Sequence, residues 1–414
     1  MYYIFFDDRR ASFQPLTLTR PVADLRMGVL TIAEKWQMML KKAADTPVFG
    51  YLTATYLAEK YPTNLPVNLL AHDTNIQICY INARALPQAD LIDEILQLPD
   101  GGQLWKNDIL LCCKTNTAIS EPYQWALSAE NVRKTASDPI IISHIWDIFT
   151  QNAAALKADF QLLTQGKTSQ PISNTNTIIG DRANIFLAEG ATVEAAMLNV
   201  KGAPIYIGKN AEIMEGAMIR GGLALGEGSS IKMGTKIYGA TTIGPHCKIG
   251  GEVSNSVIWG YTNKGHEGFL GNSVLGQWCN IGADTNNSNL KNNYGDVEIW
   301  DYNHNSYQNT GLQFCGLFMG DHSKTGINAM FNTGTVVGVS VNFFGADYPP
   351  KYIPSFLWGT TADFVPYRLD KALETATRVM ERRNLPLSAA EQRVLTYIYE
   401  QQAFEQQSFE QPNN

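Results

Sequence analysis

Residues 207–250 read IGKNAEIMEGAMIRGGLALGEGSSIKMGTKIYGATTIGPHCKIG, with an aliphatic residue at every sixth position: Ile207, Ile213, Ile219, Leu225, Ile231, Ile237, Ile243 and Ile249. Small residues follow several of them, at Gly208, Gly226, Gly244 and Gly250. An α-helix places its apolar stripe at three- and four-residue steps and cannot use a period of six. Plain two-residue alternation explains the aliphatics but not the recurring glycines. Six residues suit one short strand and one tight corner, and three such units close a triangular coil of roughly eighteen residues. Stacked coils then pair as parallel strands, each burying the apolar row of its neighbour. The stretch predicts a left-handed parallel β-helix built on hexapeptide repeats.

The same step extends outward in both directions. Leu187 and Val193 keep it before the phase shifts near Lys201-Gly-Ala-Pro204. Leu275 and Ile281 resume it, and Met319, Thr325, Phe331, Val337 and Phe343 carry it on. Around this core the chain divides into residues 1–140, an α/β domain; 141–177, a bridging helix and linker; 178–360, the β-helix; and 361–414, C-terminal helices and a tail. Tyr2–Phe6 and Ile109–Cys113 read as strands, and Gly28–Lys42 as a helix. Residues 144–163 read as an amphipathic bridging helix. Phe364–Arg383 and Ser388–Glu400 read as helices covering the open end of the solenoid, where unpaired strand edges invite aggregation. The Gln- and Glu-rich tail after Ala403 is expected to fray.

Composition bounds the function. The 414 residues carry a net charge of −7, which argues against a general nucleic-acid surface. No apolar run approaches the roughly eighteen residues of a membrane span. The opening Met1-Tyr-Tyr-Ile-Phe-Phe-Asp-Asp lacks the form of a secretory signal. The six cysteines form no C-x-x-C pair and suggest neither a zinc site nor a disulfide framework. A cytoplasmic protein with reduced, mostly buried thiols and no metal-site residues is the expectation.

Departures from the repeat are where chemistry is sought. Residues 257–293, VIWGYTNKGHEGFLGNSVLGQWCNIGADTNNSNLKNN, break the phase with a loop containing His266. Asn side chains, Lys264, Lys291 and aromatics suit recognition of hydroxyls and phosphate. His266 reads either as a polar loop histidine or as a general base, since neutral imidazole can take a proton from an amine near pH 7. Glycine-rich backbone could supply N–H donors to a tetrahedral intermediate. An amine that attacks directly needs no nucleophilic thiol, so Cys279 reads as a core residue.

Lys264-Gly-His-Glu-Gly-Phe-Leu-Gly-Asn272, with Leu275-Gly and Asn280-Ile-Gly-Ala-Asp-Thr285, resembles the acetyltransferase domain of the bifunctional enzyme family that makes UDP-N-acetylglucosamine. Those enzymes are glucosamine-1-phosphate N-acetyltransferases and N-acetylglucosamine-1-phosphate uridylyltransferases. The match extends over most of residues 178–345, and the whole chain looks like the variant found in Bacteroidetes-type bacteria. The resemblance implies His266 as the base. It implies Lys236, Glu252, Phe269, Asn280, Asn289 and Lys291 as sugar-phosphate contacts, Phe269 standing in the place of a tyrosine. It further implies Ala283, Thr285 and Lys324 as contacts to acetyl-CoA, and a homotrimer with active sites between subunits. Asn289-Leu-Lys291 is closer to the Asn-Leu-Arg of archaeal-type relatives than to the bacterial Asn-Tyr. Three departures stand out. Ser254 replaces a family lysine, Lys236 replaces an arginine and loses its planar fork, and Asp284 replaces a glycine. Residues Gly295–Gly311, with Trp300, Tyr302 and His304, form an insertion without counterpart.

The N-terminal domain resembles a reduced nucleotidyltransferase. Phe6-Asp-Asp-Arg-Arg-Ala-Ser-Phe-Gln-Pro-Leu-Thr-Leu-Thr-Arg-Pro21 stands where the family has a glycine-rich phosphate loop. Ile81-Asn-Ala-Arg84 carries an arginine where the family has a magnesium-binding acid. Arg10, Thr17, Arg20 and Asp24 are the candidate nucleotide contacts; Mg2+ and a nucleoside triphosphate are implied only if this domain is active. Acetyl transfer from acetyl-CoA to an aminosugar 1-phosphate is the leading expectation. The alternatives are a sugar-1-phosphate nucleotidyltransferase whose β-helix serves oligomerisation or regulation, and a non-catalytic solenoid scaffold.

Overall fold

A computed structural model of the chain describes residues 1–44, 46–65, 76–128 and 131–409. They fall into two compact units, residues 144–414 with two short early segments (14–18 and 26–29) forming the larger.

The smaller unit is built on a mixed sheet. Among the described residues its strand order is Val48–Leu52, Tyr2–Phe6, Ile78–Asn82, Ile109–Thr115, Gly102–Lys106, Asn131–Lys134. The first three run parallel, and Ile109–Thr115 runs antiparallel to both its neighbours. Tyr3, Ile4 and Phe5 are fully buried, as an apolar first strand requires. The first helix is Ile32–Ala43 and starts four residues later than expected. Thr31 caps it: its hydroxyl accepts from the Glu34 N–H at 3.2 Å, and the Glu34 carboxylate accepts from the Thr31 N–H at 2.6 Å.

The larger unit is a parallel β-solenoid of three faces. The first face runs from Thr177–Ile179 to Phe269–Gly271, the second from Ile185–Leu187 to Tyr352–Ile353, and the third from Thr192–Val193 to Asn263–Lys264. The third continues through Lys324–Thr325 and Asn342–Phe343 to Leu357–Gly359. The eight aliphatics of the repeat visit the faces in rotation, and the first five pair with the one eighteen residues on: Ile207 with Leu225 and Leu225 with Ile243, Ile213 with Ile231 and Ile231 with Ile249, and Ile219 with Ile237. All eight are at most 2% exposed and share one core cluster. Leu187, Val193, Leu275, Ile281, Met319, Phe331, Val337 and Phe343 join the same core.

Three local expectations are corrected. The bridging helix is two, Asp147–Thr150 and Asn152–Thr164. Phe364–Pro366 is a strand, antiparallel to Leu357–Gly359, and helix begins only at Leu369. Pro366 disfavours helical backbone at the residue before it, and the strand covers the edge of the last coil. The final helix, Ala389–Phe409, continues past Ala403; residues 410–414 lie outside the described residues. The insertion around Trp300 is an antiparallel hairpin, Glu298–Asp301 with Ser306–Asn309. The Trp300 indole stacks on Tyr352 of the second face at 4.4 Å.

Replacing Ile231 by Ala removes three side-chain carbons from the packing between two coils. It should lower unfolding stability by about 2–5 kcal/mol, measured by urea denaturation.

Candidate active site on the solenoid

The repeat shortens before the His266 loop. Ile243 pairs with Ile258 only fifteen residues on, and Ile258 with Leu275 after seventeen. The shortening brings Lys264 into the inward row, directly against Ile249. Lys264 is 1% exposed, and its Nζ donates to the carbonyls of Gly250 and His266, both at 3.0 Å. Burial pushes its ammonium down to about 8, against the raising influence of Glu267 and Asp284. A charged residue thus takes a core position and ties the backbone of His266 from inside.

From outside, the loop rests on a glycine platform. A Cβ on Gly250 would lie 2.6 Å from the Gly265 carbonyl, and one on Gly251 2.8 Å from the His266 carbonyl. Gly268 has φ +113° and leaves no room for a side chain against the Thr285 carbonyl, 2.2 Å from its Cβ position. Glu252 N–H donates to Gly268 at 3.1 Å, and Asp284 N–H to Glu267 at 3.0 Å. The His266 side chain itself is exposed at the corner between the third face and the first.

The structure brings most of the sequence candidates to this corner and its two flanks. Lys236, Glu252 and Phe269 form one outward row on the first face. Tyr238 donates its hydroxyl to the Glu252 carboxylate, which pushes the phenol up to about 12. A Cβ at Gly271 would lie 2.5 Å from the Phe269 ring and 2.8 Å from the Asn289 amide nitrogen, so these two side chains converge over that glycine. The Asn289 amide also donates to Asn272 Oδ1 at 2.8 Å. Asn286 and Asn287 accept from the N–H groups of Phe269 and Gly271 at 2.8 and 2.9 Å, replacing ladder bonds with side chains. Neither asparagine stood out in the sequence, because Asn-rich turns look alike without the register.

Ala283 sits one coil beyond His266 on the same corner, and its carbonyl accepts from the Asn328 N–H at 2.8 Å. Asp284 has φ +56°, which explains why glycine suits this position. Thr285 is buried and donates to the Gly326 carbonyl at 3.1 Å. Asn280 and Lys324 lie apart from the row of Phe269, side by side on the third face. Lys291 lies on the other flank, lining a 460 Å³ hollow with Asn293, Asn332 and Tyr348; its Nζ donates to the Asp296 carbonyl. Cys279 is 1% exposed, its Sγ 3.2 Å from the Gly320 carbonyl, and burial pushes the thiol up to about 12. It is a core thiol.

In the smaller unit, charge pairs occupy the carboxyl end of the first strand. Arg84 is 1% exposed and grips Asp8, Nη2 at 2.5 Å and Nε at 2.7 Å. Asn82 and Tyr123 donate to the same carboxylate oxygen, each at 3.1 Å. Burial raises Asp7 to about 6, although it accepts from the Val22 N–H and the Thr53 hydroxyl. Arg10 pairs with Asp7 at 3.7 Å. Arg20 is buried and pairs with Asp24 at 3.7 Å, while Tyr61 donates to Asp24 at 3.0 Å. Thr17 belongs to the larger unit, in its early segment 14–18, and is fully buried there. Among the described residues no group of three or more His, Cys, Asp or Glu side chains is placed to hold a metal ion. With Asp8 engaged by Arg84, these residues do not fit Mg2+. No helix among the described residues is long and apolar enough to cross a membrane.

Residues 2–168 match the family described as sugar nucleotidyl transferase. The chain is 34% identical over 87 residues to the bifunctional protein GlmU of Methanocaldococcus jannaschii, covering 21% of each. It is 27% identical over 190 residues to GlmU of Synechococcus elongatus, covering 43% of this chain and 33% of that one. The matched stretches thus span about a fifth to a third of these relatives' length. Among solved structures, LpxA from Acinetobacter baumannii aligns at 11% identity and a TM-score of 0.27, covering 56% of this chain and 94% of that one.

Lys264 yields a pH test. Its ammonium titrates near 8 in the fold and near 10.4 in the unfolded chain. Between these values the unfolded state holds the extra proton, so stability rises with pH. Relative to Lys264→Met, the wild type should gain roughly 2 kcal/mol between pH 7.5 and 9.5, read from urea midpoints.

Proposed function

The chain is a relative of the bifunctional GlmU proteins, and from that premise we propose that it transfers acetyl from acetyl-CoA to the amine of an aminosugar 1-phosphate, with glucosamine 1-phosphate as the acceptor. The observation that carries this reading is the setting of His266: an exposed imidazole on a loop held by Lys264 within and by glycine contacts without. A base must be held still relative to its substrate, and a backbone fixed on both sides does that.

In the reaction, the acceptor nitrogen attacks the thioester carbonyl and forms the C–N bond. His266 takes the amine proton. The tetrahedral oxyanion is held by backbone N–H groups of the corner around Ala283. Collapse breaks the C–S bond, and the coenzyme thiolate leaves and is protonated. Phe269 stacks on a sugar face, Asn289 and Glu252 meet hydroxyls, and Lys236 and Lys291 oppose the phosphate charge. Asn280, Thr285 and Lys324 belong to the acetyl-CoA side of the corner. The exposed Met197, Met218 and Tyr238 of the first face line a 770 Å³ groove beside Lys236, which supports burial against a second copy in a homotrimer.

A nucleotidyl-transfer reading of residues 2–168 is favoured by their family match. No metal-dependent step is derived for it, because the Arg84 guanidinium already pairs with Asp8.

Purified protein given acetyl-CoA and glucosamine 1-phosphate should release free thiol. His266→Ala should cut that rate by about 10²–10⁴-fold with the solution mass unchanged. Survival of activity in this variant would remove His266 as the base. Pyrophosphate release from UTP and a sugar 1-phosphate, without thiol release, would reverse the order of the two readings.

A further inference from the structure

Two consecutive carboxylates, Asp7 and Asp8, follow the first strand of the smaller unit, at the carboxyl end of its parallel strands. Phe6 pairs with Asn82 of the neighbouring parallel strand, so Asp8 and Arg84 each lie two residues beyond a shared register and come side by side. Two aspartates with an asparagine beside them offer hard oxygens, the kind a divalent ion takes. In this fold most of those oxygens already meet the protein's own donors. Asp7 accepts from the Val22 N–H at 2.8 Å and from the Thr53 hydroxyl at 2.5 Å. Four contacts converge on Asp8 Oδ2: two from Arg84 at 2.5 and 2.7 Å, and one each from Asn82 and Tyr123 at 3.1 Å. Oδ1 is left, and one oxygen falls far short of the octahedral set that Mg2+ demands.

The asparagine is also turned the wrong way for a cation. Its amide nitrogen donates to the Leu110 carbonyl at 2.8 Å and its oxygen accepts from the Arg84 N–H at 3.0 Å, so it shows Asp8 a donor. The Arg84 guanidinium is anchored on both sides. Nε and Nη2 hold Asp8, while Nη1 donates to the Ile142 carbonyl and the Ser143 hydroxyl, each at 3.2 Å. The Ile142 N–H donates back to the Arg84 carbonyl at 3.0 Å, which ties backbone and side chain to the same segment. Arg84 is 1% exposed, and a guanidinium keeps its charge throughout the pH range of folded proteins. A second cation set beside it would meet like charge at close range.

We propose that Arg84 is the resident cation of this sheet end. It stands where the nucleotidyltransferases that this domain resembles carry a metal-binding acid, it neutralises Asp8 from within, and the smaller unit takes up no divalent ion there. A phosphorylated ligand at this end is then bound without Mg2+. That consequence rests on the nucleotidyl-transfer reading; the exclusion of the ion does not.

Paramagnetic resonance of Mn2+ titrated with the full chain tests it, Mn2+ standing in for Mg2+. Wild type should leave the free-ion signal as it is, or alter it no more than Asp8→Asn does. Arg84→Asp, which exchanges the guanidinium for a carboxylate, should gain a saturable Mn2+ site. Mn2+ should raise the thermal midpoint of that variant and leave the wild-type midpoint in place. Arg84→Gln serves should the Asp variant fail to fold, with a weaker gain in the same direction. A saturable site in wild type that Asp8→Asn abolishes overturns the proposal, and so do folded Arg84 variants that bind Mn2+ no better than wild type. UTP supplies a second measurement: calorimetry should give the same affinity in EDTA as in Mg2+, and an affinity that appears only with Mg2+ overturns the proposal. Absence of any UTP binding removes the nucleotidyl-transfer reading, and the Mn2+ titration still decides the place of Arg84.

Discussion

Each strand of the solenoid is only two or three residues long, so no coil can bury its aliphatic residue without the coil beside it. That dependence sets everything else. Ile213 needs Ile231, and Ile231 needs Ile249, in the same inward place and at the spacing of adjacent parallel strands. It also dictates the glycines. A Cβ on Gly226 would lie 2.5 Å from the Gly244 carbonyl carbon, so the following coil occupies the space a side chain would need. A period of six is therefore the trace of a stacking rule, with the aliphatic row and the glycine corner as two consequences of one geometry.

A rule so regular makes its breach informative. The third-face row runs Ile213, Ile231, Ile249 and then Lys264. Burying an ammonium is costly unless its protons find acceptors, and here the two carbonyls that satisfy it belong to the platform and to the loop above. The lost apolar contact is exchanged for a fixed loop. Lys324 repeats the motif on an outward position of the same face, its Nζ donating to the His322 carbonyl at 2.8 Å and its ammonium lowered to about 8 by burial. Lysines that donate to backbone carbonyls thus stand on the third-face side of the corner where His266 stands.

The solenoid was legible because its signal is local and repeated: eight in-phase aliphatics suffice. The site was legible only as a break in phase. That Lys264 points inward depends on the coil of fifteen residues between Ile243 and Ile258, which a count of sixes cannot reveal. The Asn286 and Asn287 side chains that replace ladder bonds, and the convergence of Phe269 with Asn289 over Gly271, are likewise properties of register. Trp300 could not be placed because its partner, Tyr352, lies on a coil fifty residues away. That Lys248 and Arg383 line one cavity was invisible for the same reason: they come together only once the last helices fold back on the third face.

The two units handle polar groups in opposite ways, and this bears on which of them does chemistry. At the carboxyl end of the parallel strands, where α/β sheets bind ligands, Asp8 Oδ2 accepts from Arg84, Asn82 and Tyr123. A buried pair of this kind is costly to break, since removing one partner leaves an uncompensated charge. In the solenoid Lys264, Thr285 and Ser229 donate to backbone carbonyls, and the side chains of His266, Asn280, Lys236 and Lys248 are exposed at no such cost. Pre-organised backbone with exposed side chains beside it is what the proposed acetyl transfer requires, and the β-helix has it.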